Sequence, residues 1–86
     1  MSQSLKYTNF VSEPISNKSV NEIPGIGVLT AEKLIMSGFT KAYHVLGQFL
    51  LLNLDEELFI NWLKSMGSLN YKTTYNALHD WTHAFI

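Results

Sequence analysis

The apolar residues of this chain recur every three or four positions, and glycine, proline or aspartate stands between the runs. Such spacing is typical of amphipathic helices. It predicts five short helices, over residues 4–11, 28–37 and 41–52, from Asp55 to Gly67, and from about Leu69 onward. A helical turn over residues 20–23 precedes the second helix. No stretch alternates at period two, so the sequence predicts an all-α fold, with residues 1–86 in one domain.

The same pattern predicts which helix faces are buried. The first helix places Leu5, Phe10 and Val11 on one face, and the third carries apolar residues on nearly every side, which predicts a central position. The apolar set of the second helix is Leu29, Ala31, Leu34 and Ile35. Aromatic residues at helical spacing in the last helix favour the core or a dimer surface over base stacking. These aromatic residues are Tyr71, Tyr75, Trp81 and Phe85.

Glycine and acidic residues mark the predicted helix ends. Gly38 stands where a left-handed C-terminal cap belongs. Asp55 is a favourable N-cap, and Glu56 and Glu57 follow where the helix dipole favours negative charge. Helix capping and the helix dipole explain all three acidic residues, so we do not interpret any two of them as a catalytic acid–base pair. Because the sequence offers no nucleophile beside a base, we expect no enzymatic activity.

Composition points to a folded protein with a partner surface. Apolar residues make up 47% of the 86-residue chain. A domain of this size buries only about 60–65% of its unfolded surface, so an uncovered apolar patch is expected. A homodimer is the simplest way to cover that patch.

Charge and cysteine content narrow the possible functions. The net charge is −1, so any DNA contact must come from a local lysine cluster or from backbone amides. The absence of cysteine excludes disulfides and thiolate metal sites. The longest apolar stretch, residues 45–54, is interrupted by polar residues, and the first ten residues lack the apolar core of a signal peptide. We therefore expect a soluble protein without membrane insertion.

His79 and His83 lie four residues apart in the last helix, a spacing that suits a metal ion. No third ligand accompanies them in the sequence. Surface histidines are the favoured interpretation, and we predict neither a metal nor a cofactor.

The segment Pro24-Gly25-Ile26-Gly27 precedes the second helix and has two interpretations. It is either a plain turn or the hairpin of a helix-hairpin-helix motif over about residues 20–37. We favour the motif, because Ala31, Leu34 and Gly38 follow in register.

A helix-hairpin-helix motif would make this segment an anion site. Both glycines can adopt positive φ and have no Cβ, so a phosphate can come near the main chain, while Ile26 anchors the hairpin in the core. The amides of Gly27, Val28 and Leu29 would have no partner inside the helix and would bind the phosphate, with Lys33 on the outward side. We expect a Gly25→Glu variant to stay folded and to lose DNA binding.

Several motifs along the chain resemble the barrier-to-autointegration factor family. They are Lys6, Phe10-Val11, Glu13-Pro14, Gly25-Ile26-Gly27, Lys41-Ala42-Tyr43, Val45-Leu46-Gly47-Gln48-Phe49-Leu50, Asp55-Glu56 and Trp62-Leu63-Lys64. The resemblance implies a dimer of five-helix protomers that bridges two DNA duplexes without sequence preference. It also implies a groove at the dimer interface for LEM-domain proteins of the nuclear envelope, with lamins and histones as further partners. The implied location is the nucleus, at chromatin and nuclear envelope, and also the cytoplasm.

The resemblance assigns roles to residues by position. The implied DNA contacts are Lys6, Gly25, Ile26, Gly27, Val28, Leu29, Lys33 and Lys72. The implied partner groove contains Gly47, Leu51 and Leu58. The implied phosphorylation sites, for vaccinia-related kinases, are Ser4 and Ser2, of which Ser4 lies closer to Lys6.

Some positions depart from the family pattern. Tyr7-Thr8 stands where the family usually has His-Arg, and Asn53-Leu54 where it has Lys-Lys. Each lost phosphate contact weakens DNA binding. These departures favour an alternative function, a protein-interaction adaptor of the same fold with weak or lost DNA binding. An accessory module of a nuclease or repair enzyme is disfavoured, because the sequence carries no catalytic domain.

Overall fold

The structure is a computed structural model that describes residues 4–86. This part of the chain forms five α-helices and no strand. They are α1 (Leu5–Ser12), α2 (Val28–Met36), α3 (Ala42–Leu51), α4 (Glu56–Ser65) and α5 (Tyr71–Phe85), with a 3-10 turn at Val20–Glu22. The prediction of an all-α fold with five helices is confirmed, and the helix ends agree within two residues. No helix in residues 4–86 combines the length and apolarity needed to cross a bilayer.

Side-chain and glycine caps fix the helix ends. The Ser4 hydroxyl accepts a hydrogen bond from the Tyr7 amide at 3.1 Å and so caps α1. The Asp55 carboxylate accepts one from the Leu58 amide at 2.9 Å and caps α4, as predicted. Gly38 ends α2 with φ +94°, the left-handed conformation expected of it.

One hydrophobic cluster forms the core. Its largest fully buried side chains include Phe10, Phe49, Phe59, Leu34 and Leu78, which come from all five helices. The longest helix, α5, packs against both α1 and α4. Trp81 is buried in this core, as its helical spacing predicted.

Three predictions about buried faces are wrong. Leu29 and Ile35, from the apolar set of the second helix, are 81% and 49% exposed. Leu5 is 74% exposed, and α1 instead buries Tyr7 and Phe10. The third helix is not surrounded on all sides, because Gly47 and Leu51 are exposed. Apolar content alone therefore overstated how central α3 is.

Two long-range hydrogen bonds fix α1 against α5. The Tyr7 hydroxyl donates to Asp80 Oδ2 at 2.6 Å, and the Trp81 indole donates to the Glu13 carbonyl at 2.9 Å. Burial, reinforced by the Asp80 carboxylate, raises the pKa of Tyr7 well above its usual value, so the phenol stays a donor. The N-terminal helix, with Lys6 on it, is thereby held in one orientation.

Backbone hydrogen bonds fix the segment before the hairpin. The Ala42 amide donates to the Lys18 carbonyl at 2.8 Å, and the Val20 amide donates to the Thr40 carbonyl at 3.3 Å. These bonds attach the 3-10 turn to the start of α3, and so they position the entry to α2.

Candidate functional site

The hairpin segment, Gly25–Leu29, joins the 3-10 turn to α2. Ile26 is buried, and its amide donates to the Ile23 carbonyl at 3.1 Å, so the predicted anchor is confirmed. Gly25 has φ +87°, as expected. Gly27 does not: its φ is −90°, in extended backbone, and it is the N-cap of α2. Of the two glycines, only Gly25 therefore uses the positive φ that glycine allows.

Gly25 packs against the first turn of α5. A Cβ on Gly25 would lie 2.7 Å from the Asn70 carbonyl oxygen and would clash with the Thr74 hydroxyl. That hydroxyl is buried and donates to the Pro24 carbonyl at 2.8 Å. A side chain at residue 25 would therefore displace α5, and the expectation that Gly25→Glu stays folded is not supported by this packing.

Gly27 borders open space, because no atom of residues 4–86 lies within 4 Å of where its Cβ would be. Among the residues that the structure describes, no side chain caps α2. The first intrahelical donor of α2 is the Ala31 amide, which donates to the Gly27 carbonyl at 2.9 Å. The amides of Gly27, Val28 and Leu29 precede that donor. They and the positive end of the helix dipole form a surface suited to an anion.

A groove of about 260 Å³ adjoins the hairpin segment. One side is formed by the hairpin and the other by Gly67, Leu69 and Asn70 in the α4–α5 connection. Asn70 is exposed and is the N-cap of α5. Sequence reasoning missed Asn70, because only the packing of α5 against Gly25 brings the starts of α2 and α5 together.

The three candidate lysines differ in their surroundings. Lys6 and Lys33 are exposed, and neither forms an ion pair within residues 4–86. The outward position predicted for Lys33 is confirmed. The ammonium of Lys72 pairs with Glu56, at the start of α4, and lies 5.4 Å from the Tyr75 ring centroid. Its hydrogen bond to Glu56 raises the pKa of Lys72.

A second open surface, the α3 face, consists of Tyr43, Gly47, Leu50, Leu51 and Leu54, all of them exposed. Their spacing places them along one side of α3 and its C-terminal end. An added Cβ on Gly47 would meet no atom of the described part of the chain within 4 Å. No helix within residues 4–86 therefore packs on Gly47, so its bare backbone is open to a partner.

The end of α3 directs Leu54 into a groove between α3 and α5. Asn53 and Leu54 both have positive φ, at 63° and 60°, and the Leu54 amide donates to the Phe49 carbonyl at 2.9 Å. A left-handed leucine is strained, and it persists only where the surrounding structure requires it. The Leu54 side chain lines the groove together with Leu50 and Ile86.

Two further predicted site residues, Leu58 and Ser4, lie at exposed positions. Leu58, in the first turn of α4, is 51% exposed and therefore not a core residue. Ser4 is exposed and caps α1, two residues before Lys6. Ser2 lies outside the described residues.

The similarity to known proteins extends over nearly the whole chain. A family model described as barrier to autointegration factor matches residues 1–85. Barrier-to-autointegration factor A of Xenopus laevis is 48% identical over 88 residues, which cover 99% of this chain and 98% of the relative. The Drosophila melanogaster barrier-to-autointegration factor is 46% identical over 86 residues, 96% of each chain. Barrier-to-autointegration factor 1 of Caenorhabditis elegans is 45% identical over 89 aligned positions, with both chains covered completely. The chain therefore belongs to the barrier-to-autointegration factor family.

Proposed function

We propose that this protein is a non-enzymatic homodimer, with residues 1–86 as one domain, that binds double-stranded DNA without sequence preference and bridges two duplexes. The observation that carries the proposal is the uncapped start of α2 beside the open Gly27. A helix N-terminus of this kind in a helix-hairpin-helix setting binds phosphate through the backbone.

In the proposed DNA contact, backbone amides are the main donors, and lysine charges add to their attraction for phosphate. The amides of Gly27, Val28 and Leu29 donate to one phosphate, and Asn70 lies on the opposite side of the same groove. Lys6 and Lys33, free of ion pairs within the described part of the chain, add attraction to neighbouring phosphates. Contacts of this type position the duplex and carry no base information.

The α3 face is the proposed dimer surface. It places an exposed glycine and three exposed leucines side by side, with no lysine or acid among them. Such a patch on a small domain favours self-association. Two protomers joined there carry two hairpin segments, as bridging of two duplexes requires.

A groove at the dimer interface is the proposed site for LEM-domain proteins of the nuclear envelope, with lamins and histones as further partners. Gly47, Leu51 and Leu58 are its proposed lining, and all three are exposed in the protomer. This activity places the protein in the nucleus, at chromatin and envelope, and also in the cytoplasm.

One observation favours the alternative of an adaptor with weak DNA binding. The ammonium of Lys72, a proposed DNA contact, is paired with Glu56. Thr8, Asn53 and Leu54 add no positive charge, and the chain has a net charge of −1.

A gel-shift titration on plain duplex DNA, at about 50 and 200 mM salt, separates the two functions. DNA bridging requires binding that weakens steeply with salt and is lost in Gly27→Glu. Gly27→Ala is the matched control, because it adds a methyl group in the same open space without charge. Circular dichroism must show both variants folded. No binding by the wild-type protein at the lower salt concentration would favour the adaptor.

A further inference from the structure

The two histidines of α5 converge on a single point. His79 and His83 stand one turn apart, and their Nε2 atoms lie 3.3 Å from each other. Two nitrogens bound to one tetrahedral zinc at about 2.0–2.1 Å stand roughly 3.3 Å apart. In the free protein this contact is a hydrogen bond from one Nε2 to the other, so a metal ion would replace the shared proton while keeping the spacing of two ligands.

The surroundings of His79 orient it as a ligand. Its Nδ1 lies 3.8 Å from Asp80 Oδ1, and the other Asp80 oxygen accepts the Tyr7 hydroxyl at 2.6 Å. At 3.8 Å the carboxylate makes no hydrogen bond to Nδ1 and acts on the imidazole through its charge, which favours a proton on Nδ1 and a metal on Nε2. The Tyr75 ring, with its centroid 5.5 Å from that of His79, limits rotation of the imidazole.

Both histidines line the groove between α3 and α5, a space of about 460 Å³. Thr82, which also lines it, does not compete as a ligand, because its hydroxyl donates to the His79 carbonyl at 2.7 Å. Within residues 4–86 no third histidine, cysteine or acid joins the two Nε2 atoms in a group that could hold a metal ion, because Asp80 faces Nδ1 of His79. A bound ion would therefore keep open positions for water in the groove.

We propose that His79 and His83 form a two-ligand site for a divalent transition metal of the zinc type, with water completing the coordination. Imidazole nitrogen suits zinc, copper and nickel, whereas magnesium and calcium prefer oxygen ligands. The site lies on α5 and does not depend on DNA binding by the hairpin segment. It revises the interpretation of these residues as plain surface histidines.

Calorimetric titration of the full chain with zinc chloride tests the site. We expect saturation at one zinc per chain, a melting temperature that rises by several degrees, and loss of both effects in His79→Gln and in His83→Gln. Magnesium chloride should produce neither effect. The matched control is His44→Gln, since His44 is the third histidine of the chain and lies on α3.

Two outcomes would overturn the proposal. One is the absence of saturable zinc binding by the wild-type protein. The other is binding that persists in both α5 variants, which would place the metal elsewhere. Proton-nitrogen spectra of the imidazole groups provide a second readout, because coordination through Nε2 should shift the His79 and His83 signals and leave those of His44 in place.

Discussion

The hairpin segment and the α3 face are both open to solvent, yet they present different chemistry. The hairpin segment offers backbone amides at the uncapped start of α2. The α3 face offers leucine side chains around a bare glycine. Most substitutions leave the backbone amide donors in place. On an apolar face, by contrast, each substitution changes the contact surface itself. The proposed phosphate site rests on backbone amides, so the net charge of −1 does not exclude it.

The largest expected effect is a difference in stability between substitutions at the two glycines of the hairpin segment. Gly25→Ala should lower the free energy of unfolding by about 2–4 kcal/mol, because the new Cβ meets α5 at a residue with positive φ. Gly27→Ala should change it by less than about 1 kcal/mol, since its φ is −90° and the space is open. Urea unfolding followed by circular dichroism measures both. Equal losses in the two variants would contradict the assignment of Gly25 to packing.

The next effect concerns the α3 face. Leu50→Glu should weaken dimerisation by at least about 100-fold, because a carboxylate would be buried at an apolar interface. Leu50 is 41% exposed in the protomer, so the fold should persist. Sedimentation should then report mostly monomer near 9.8 kDa.

A matched control for Leu50→Glu lies on α2. Met36 is 88% exposed and lies outside the α3 face, so Met36→Glu should leave the dimer intact. If both variants dissociate alike, general charge repulsion and not a specific face would explain the result.

A third prediction separates partner docking from dimerisation. Leu58→Arg should abolish capture of a LEM-domain protein while the dimer and DNA binding remain, because the half-exposed Leu58 side chain adds little to the protomer core. Pull-down with a purified LEM domain, together with light scattering and a gel shift on the same variant, measures all three activities. Unfolding or loss of the dimer would instead assign Leu58 to packing.

Local signals in the sequence predicted the helices well. Asp55 and Gly38 mark helix ends through contacts within a few residues, so their roles follow from the sequence alone. Apolar periodicity was less reliable for burial: Leu29 and Ile35 fit the helical pattern of α2 but are exposed. Periodicity finds an apolar face, but it does not say whether the protomer covers that face.

The parts that sequence reasoning missed depend on distant contacts. Residue 25 must be a glycine because a Cβ there would clash with Thr74, which lies on α5 almost fifty positions later. The pairing of Lys72 with Glu56 joins two helices in the same way. Neither contact produces a recognisable pattern in the nearby sequence. Both become visible only in the packing of α5 against the rest of the structure.

The smallest expected effect tests whether that ion pair restrains DNA binding. Glu56→Gln removes the carboxylate that competes with phosphate for the Lys72 ammonium. DNA affinity should rise a few-fold, and the plot of log affinity against log salt should steepen by up to about 0.9, the value for one added phosphate contact. Gel shifts at a series of salt concentrations measure both quantities.

The control for Glu56→Gln is its neighbour. Glu57→Gln removes the same charge from the same turn of α4, but Glu57 forms no ion pair within residues 4–86. It should raise affinity through net charge alone and leave the salt slope unchanged, because no new phosphate contact forms. Since Lys72 is charged at neutral pH in either case, protonation does not explain a difference between the two variants. An equal change of slope in both would show that Glu56 does not hold Lys72 away from DNA.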